Sequence, residues 1–439
     1  MKKRNILSTT VLFVLFLLLP ARVSAQVKFI DLTNPFLRKI PMAVPVFKAM
    51  GDSGDEARLV VEIADQVAAM LEFTGYFALL DRGAFLYDPK KGGITAADLK
   101  FANWTAVGAE LLITGGVQFQ DGALNLEMRL FDTVKASLLI GKRYNGRPDD
   151  QRTIVKRFCT EVIHLLTKNR GFFNSRIAFI STGNGHKELY VCEFDGTGVQ
   201  QITQKKSITT TPDWSSDGRH MAFTSFARGA AQIYVHDLAS GIETHFRYRG
   251  VQISPRWAPG RFELAATLSF AGDQEIYLLT GGGKMIKRLT QSPGIDVEPS
   301  WSPNGKRIAF VSKRAGTPQI YVKDLESGQT YRLTYQGRYN TQPSWSPKGD
   351  KIAYSSMENG QLDIYVIDIE GNHPIKLTHN QGDNEAPTWS PDGSLIAFSS
   401  TREGGSRIFV MTAFGTDQRR LLVLPGKQSH PRWSPNLTP

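Results

Sequence analysis

The sequence predicts two domains: a small N-terminal α/β domain, a mixed sheet with helices, over residues 26–171, then a six-bladed β-propeller over residues 172–439 closed by the C-terminal strand. Three observations carry this expectation. Six of the seven tryptophans, Trp214, Trp257, Trp301, Trp345, Trp389 and Trp433, stand 43, 44, 44, 44 and 44 residues apart, each with a proline two positions ahead. Each interval holds four short apolar stretches, which is the content of one propeller blade. The stretch before the first of these tryptophans lacks a first strand, and an unmatched first strand stands at the other end of the chain.

Residues 1–25 read as a signal peptide: Met1-Lys2-Lys3-Arg4, an apolar run from Val11 to Leu19, and Val23-Ser24-Ala25 before Gln26. That run is shorter than the roughly 20 apolar residues of a membrane span, so no direct span is expected. Cleavage removes Lys2, Lys3, Arg4 and Arg22 and no acidic residue, which lowers the formal charge of +11 to +7. The remaining excess is dispersed rather than interleaved with aromatics, so nucleic acid is not an expected partner. Cys159 and Cys192 are spaced neither as a metal pair nor as an evident disulfide, and read as small buried hydrophobes.

In the first domain, Gln26 to Pro35 is an edge strand or a mobile arm. Met42–Phe47 reads as a strand in which Pro45 must sit at an edge or bulge. Ser53-Gly54-Asp55-Glu56 has capping-box spacing, and behind it Leu59, Ile63, Val67 and Met70 recur at helical intervals up to Gly75. Residues 76–81 predict a strand, 96–106 a weaker helix, and 111–117, 124–132 and 138–144 three further strands with a turn at Asp121-Gly122. A last helix over 150–167 buries Ile154, Phe158, Val162, Ile163 and Leu166.

In the second domain, Trp-Ser-Pro-Asp-Gly, intact at 389–393, supplies the fixed and positive φ values of a tight turn. Second strands follow at Met221-Ala222-Phe223, Leu264-Ala265-Ala266, Ile308-Ala309-Phe310, Ile352-Ala353-Tyr354 and Ile396-Ala397-Phe398, with third and fourth strands after each. Ile177-Ala178-Phe179, Leu189-Tyr190-Val191 and Gln201-Ile202-Thr203 are strands two to four of a blade without a first. Pro431-Arg432-Trp433 completes it, so the ring closes on six blades and no repeat end is left to cap. The blade at Trp257 departs from the pattern with Ala258-Pro259-Gly260-Arg261, one residue short.

Nothing in the chain assembles catalytic chemistry. Gly-x-Ser-x-Gly, His-Glu-x-x-His and a P-loop are absent, Gly281-Gly282-Gly283-Lys284 falls where the other blades have hairpin turns, and the eight histidines are scattered. The expectation is a monomeric binding protein, not an enzyme, with no cofactor. Its candidate site is the set of divergent loops ahead of each Pro-x-Trp, 207–210, 251–254, 295–298, 339–342, 383–386 and 427–430, which ring one mouth of the channel. The residues singled out are Thr209, Thr210, Gln252, Ile253, Asp296, Glu298, Tyr339, Asn340, Gln342, Asn384, Glu385, Gln428 and His430. Asp296, Glu298, Asp383 and Glu385 are also a candidate cation cluster.

The order of signal peptide, α/β domain and six Pro-x-Trp-Ser-Pro-Asp-Gly repeats resembles the TolB family of the Tol-Pal system. So do the junction from Leu166 through Asn174 to Phe179 and the segment from Trp104 through Ala109-Glu110-Leu111-Leu112-Ile113-Thr114-Gly115. The resemblance implies a periplasmic, non-enzymatic adaptor that maintains outer-membrane integrity and supports constriction during cell division. It implies that the propeller mouth binds the peptidoglycan-associated lipoprotein Pal, and that an N-terminal peptide, here Gln26, Val27, Lys28, Phe29, Ile30 and Asp31 with the residues up to Asn34, binds TolA of the inner-membrane complex. Two other readings are a propeller gate of a serine peptidase, expected to carry a hydrolase domain that is not found before Pro439, and a lectin-like ligand-binding propeller.

Overall fold

A computed structural model describes residues 38–51, 54–88, 92–120, 122–269 and 272–437. The expected signal peptide, the N-terminal peptide 26–34, Ser53 and Asp121 lie outside the described residues.

The N-terminal sheet is mixed, as expected. Its strands are β1 (Ile40–Ala43), β2 (Lys48–Ala49), β3 (Phe77–Leu79), β4 (Leu111–Gln120), β5 (Ala123–Asp132) and β6 (Ser137–Gly146). They lie in the order β3-β1-β4-β5-β6, with β2 beside β4. Pairs among β1, β2, β3 and β4 are parallel and the β4-β5-β6 meander is antiparallel. Helices α1 (Gly54–Phe73) and α3 (Gln151–Thr167) press their apolar faces on one side of this sheet. The shorter α2 (Phe101–Ala106) covers the other side, where Trp104 packs with Leu112 and Phe131. That contact accounts for the one tryptophan outside the repeat.

One local expectation is corrected. The strand over 42–47 is two pieces: Pro45 has no N–H to donate to a ladder, and β1 ends at Ala43 before β2 begins at Lys48. The expected capping box falls on Ser53, outside the described residues, and Glu56 itself reaches further. It is 1% exposed, and its carboxylate accepts from the N–H groups of Gly51 at 2.8 Å and Phe119 at 2.7 Å, tying the start of α1 to β4.

The propeller has six four-stranded antiparallel sheets. The innermost strands, in blades two to six and then blade one, are Thr209–Trp214, Gln252–Trp257, Asp296–Trp301, Tyr339–Trp345, Asn384–Trp389 and Gln428–Trp433. The last of these pairs antiparallel with Arg176–Ser181, Trp433 opposite Ile177, so the C-terminal strand does complete blade one. Gly393, at φ +70, takes the left-handed position that the repeated turn requires.

The tryptophans clasp neighbouring blades. The indole N–H groups of Trp214, Trp301 and Trp389 donate at 3.0 Å to the backbone carbonyls of Arg432, Arg256 and Ser344 in the preceding blades. All six tryptophans are 5–8% exposed. Among the described residues the indole N–H of Trp257 alone of the six has no partner, and its ring lies beside Phe262, centroids 5.1 Å apart, in the turn that departs from the repeat.

The first and third strands of each blade run toward the same end of the ring, and the N-terminal domain sits at that end. Asn169 Nδ2 donates to the Asp392 carbonyl at 3.1 Å, Lys39 pairs with Asp417 at 3.1 Å and Arg152 with Asp195 at 2.6 Å. The Arg419 guanidinium lies 4.3 Å from the centre of the Phe73 ring, and Trp433 Nε1 donates to Ser175 Oγ at 2.7 Å. One apolar core runs from Met42 and Leu71 through Phe172 and Phe194 to Trp433. The mouth formed by the loops ahead of each Pro-x-Trp is at the opposite end.

Candidate functional site: the propeller mouth and channel

Each innermost strand loses register with its neighbour at the same place, between residues four and one ahead of the tryptophan. The residue at the bulge, three ahead, has positive φ in every blade: Thr211 +48°, Ser254 +54°, Glu298 +54°, Gln342 +53°, Ala386 +54° and His430 +51°. None is glycine, so each site stores roughly 1–2 kcal/mol of backbone strain. The proline that follows has no N–H, so the broken ladder leaves no orphan donor there. The bulges turn these six residues inward, where with Arg256 and Arg432 they line a cavity of about 50 Å³ on the propeller axis.

Side chains of the preceding blade hold the strained backbone in place. Glu298 Oε2 accepts from Gln342 N at 2.7 Å, and Gln342 Oε1 accepts from Ala386 N at 2.8 Å. Thr224 Oγ1 accepts from Ser254 N at 3.2 Å, and Ser399 Oγ from His430 N at 3.0 Å. Four such links brace the strained backbone of the channel wall.

The cavity combines opposite charges. Arg256 Nη1 donates to the carbonyls of Pro255 at 2.9 Å, Pro212 at 3.4 Å and Thr211 at 3.5 Å, and burial lowers its pKa to about 10. Burial pushes the Glu298 carboxyl above its usual range, against the pull of the Gln342 N–H and Arg256. Burial, then the charges of Arg256 and Lys187, bring His430 down to about 4, so its imidazole is neutral at pH 7.

The mouth itself requires a correction. Thr209, Gln252, Asp296, Asn340, Asn384 and Gln428, all five residues ahead of the tryptophan, are 0% exposed and cannot touch a docking partner as the loops stand. All but Thr209, whose hydroxyl has no partner among the described residues, pin the loops from inside. Asn340 Nδ2 donates to Gln319 Oε1 at 2.8 Å and to the Gln336 carbonyl at 2.7 Å. Asn384 Nδ2 donates to Asp363 Oδ1 at 3.1 Å, and its Oδ1 accepts from Arg402 at 2.9 Å. Asp296 pairs with Arg314 at 2.9 Å, and Gln252 and Gln428 donate to loop carbonyls. Thr210, Ile253 and Glu385 are half-buried, as are Glu298, Gln342 and His430 on the channel wall. Of the thirteen, only Tyr339, at 41%, is broadly exposed.

Nor do the four carboxylates collect. No group of three or more His, Cys, Asp or Glu side chains among the described residues is arranged to hold a metal ion. Asp296 is taken up by Arg314, and Asp383 accepts from Leu362 N at 3.0 Å on the rim. The side chains the mouth does offer include Ile208 at 46%, Phe226 at 37%, Tyr335 at 70% and Val423 at 81% exposure. Phe226, Tyr335 and Val423 were missed because they stand outside the four residues ahead of each repeat. An aromatic or branched residue among Gly, Pro and Arg in a loop was the available signal.

The family described as TolB beta propeller domain matches residues 163–436, and the TolB amino-terminal domain matches residues 29–139. A "Tol-Pal system protein TolB" of Desulfosudis oleivorans is 53% identical over 294 residues, 67% of this chain and 66% of that protein. A "Protein TolB homolog" of Chlorobaculum tepidum is 42% identical over 253 residues, 58% of this chain and 57% of its own. This chain thus spans 66% and 57% of the length of these curated relatives, less than two thirds of either. The crystal structure of TolB from Acinetobacter baumannii shares the fold, with a TM-score of 0.78 at 24% identity over 91% of this chain and 97% of that one. With the propeller domain matched over more than half of its length, and the amino-terminal domain matched ahead of it, the chain belongs to the TolB family.

Proposed function

We propose that this protein is a periplasmic adaptor of the Tol-Pal system that docks Pal on the open mouth of its propeller and links it, through the N-terminal peptide 26–34, to TolA. The protein does no chemistry of its own in this reading; it holds envelope layers together and so maintains outer-membrane integrity and constriction during division. The observation that carries the reading is the division of the molecule into two ends. The N-terminal domain occupies one end of the ring, and the opposite mouth stays open with Tyr335, Tyr339 and Val423 exposed on loops pinned from within. Rigid loops with exposed aromatics bind at low entropic cost.

The test is calorimetric binding of the mature protein to Pal of the same organism, with and without Tyr335→Ala plus Tyr339→Ala. The expected result is capture by the wild type and at least about tenfold weaker binding by the double variant, because exposed aromatic anchors dominate such interfaces. Equal affinity of the two would remove the mouth from the account. Deleting residues 26–34 is expected to abolish TolA binding and leave Pal binding intact.

A further inference from the structure

Six similar loops around one mouth offer a docking partner six nearly equivalent rotations. Charge breaks that equivalence. Three loops flanking blade two carry Lys206, Arg228, Arg247 and Arg249, all exposed. Among the described residues none of these four lies within 4.0 Å of a carboxylate, whereas the neighbouring Lys205 is paired with Glu243. The three loops are stitched together: Phe226 N donates to the Ile208 carbonyl at 2.9 Å and Gln252 N to the Ala231 carbonyl at 3.1 Å. The cations therefore sit on a fixed arc. Its field is felt nearby, since after burial the charges of Arg228 and Arg247 are what hold the His245 imidazole below its usual range. Ile208 and Phe226 stand half-exposed between them.

Across the ring, the loop between blades five and six carries the opposite sign. Asp383 is exposed, Glu385 is half-buried, and among the described residues neither has a cation within 4.0 Å. Between the two poles blade three adds one exposed carboxylate, Asp273, and the loops of blade four add Lys313 and Arg338, so Asp383 and Glu385 together form the larger negative pole of the rim.

We propose that the basic arc at blade two seats an acidic stretch of the protein that docks on this mouth, with an apolar side chain laid on Ile208 and Phe226, and that the pole at Asp383 fixes the partner's rotation. This deepens the reading of the mouth as a docking face and rests on it. A folded protein partner fits better than an anionic lipid surface, because two poles of opposite sign on one rim can both be matched by a protein, while a uniformly negative surface is repelled by one of them. Unpaired rim charges act mainly on encounter, so the effect belongs to the association rate and its salt dependence.

The experiment measures association rates of the mature protein with Pal across a series from about 50 to 300 mM salt, a range over which screening lengths shorten appreciably. The variants are Arg228→Glu/Arg247→Glu/Arg249→Glu and the matching Arg→Lys triple. Reversal is expected to lower the rate about tenfold or more at low salt and to flatten its salt dependence, and the lysine triple to stay within about twofold. Rate and slope unchanged by reversal would overturn the proposal. A ten-residue Asp/Glu peptide with one phenylalanine is tested alongside. Peptide binding that depends on the arc supports the proposal even if Pal fails to bind, in which case only the reading of the mouth as a Pal site falls. Vesicles of phosphatidylglycerol are the remaining arm, and arc-dependent binding to them without binding to the peptide would overturn the assignment to a protein.

Discussion

The two ends of each innermost strand differ in a way that separates architecture from recognition. At the tryptophan end the residues repeat from blade to blade, and their hydrogen bonds cross from one blade to the next. At the mouth end they vary among the blades, yet the position five ahead of the tryptophan is as buried as the tryptophan itself. Variation along a repeat therefore does not mean exposure. Gln, Asp and Asn take the same inward site and solve the same problem, anchoring a loop, with different hydrogen bonds. What the mouth offers a partner lies one step further out, on side chains such as Tyr335 and Val423.

The largest effect should come from removing a whole tryptophan end. Truncation after Leu424 takes away the strand Gln428–Trp433 and opens the ring, and should lower the melting temperature by more than about 10 °C, since each kcal/mol moves a domain of this size by ~2–4 °C. Melting followed by circular dichroism reads this, and an unchanged profile would separate the strand from ring closure. Next come single clasps. Trp301→Phe should cost about 1 kcal/mol more than Trp257→Phe, because only Trp301 loses an indole hydrogen bond. Equal losses in denaturant titrations would mean that packing alone makes the clasp.

Across the two ends, Asn384→Ala should destabilise by roughly 1–3 kcal/mol, since it leaves Arg402 and Asp363 short of a buried partner. Tyr339→Ala should leave melting unaltered while weakening Pal capture. The reverse pattern would invert the assignment of inside and outside. A further effect is set by pH. His430 titrates near 4 in the folded protein and at roughly 6.5 when unfolded, so the unfolded chain takes up the proton first and stability falls as pH drops through that window. His430→Gln should flatten this acid limb. Glu298, raised by burial, acts in the opposite sense, so Glu298→Gln should steepen it. Chemical denaturation from pH 7 to 4 distinguishes the three proteins.

Much of the fold was legible because the repeat states it six times over. Period, blade count and closure by Trp433 follow from spacing alone, and so does the mixed sheet from its helices and hairpins. The site was less legible for physical reasons. A polar residue at a strand end reads the same whether it faces solvent or a neighbouring loop, which is how Asn340, Asn384 and Gln428 came to be expected on the surface. The bulge that turns Glu298, Gln342 and His430 into the channel left one trace, the proline after each. That trace marks a broken ladder without saying which way the side chain turns. The break at Pro45 was legible in the same residue type, because a missing N–H is a local property.

Amide hydrogen exchange of the mature protein, free and saturated with Pal, tests the central claim most directly. The account predicts that protection appears in the mouth loops around 226–231, 334–339, 378–383 and 423–427 and not in the turns that follow the tryptophans. Protection concentrated at those turns, with the mouth loops exchanging as in the free protein, would contradict it.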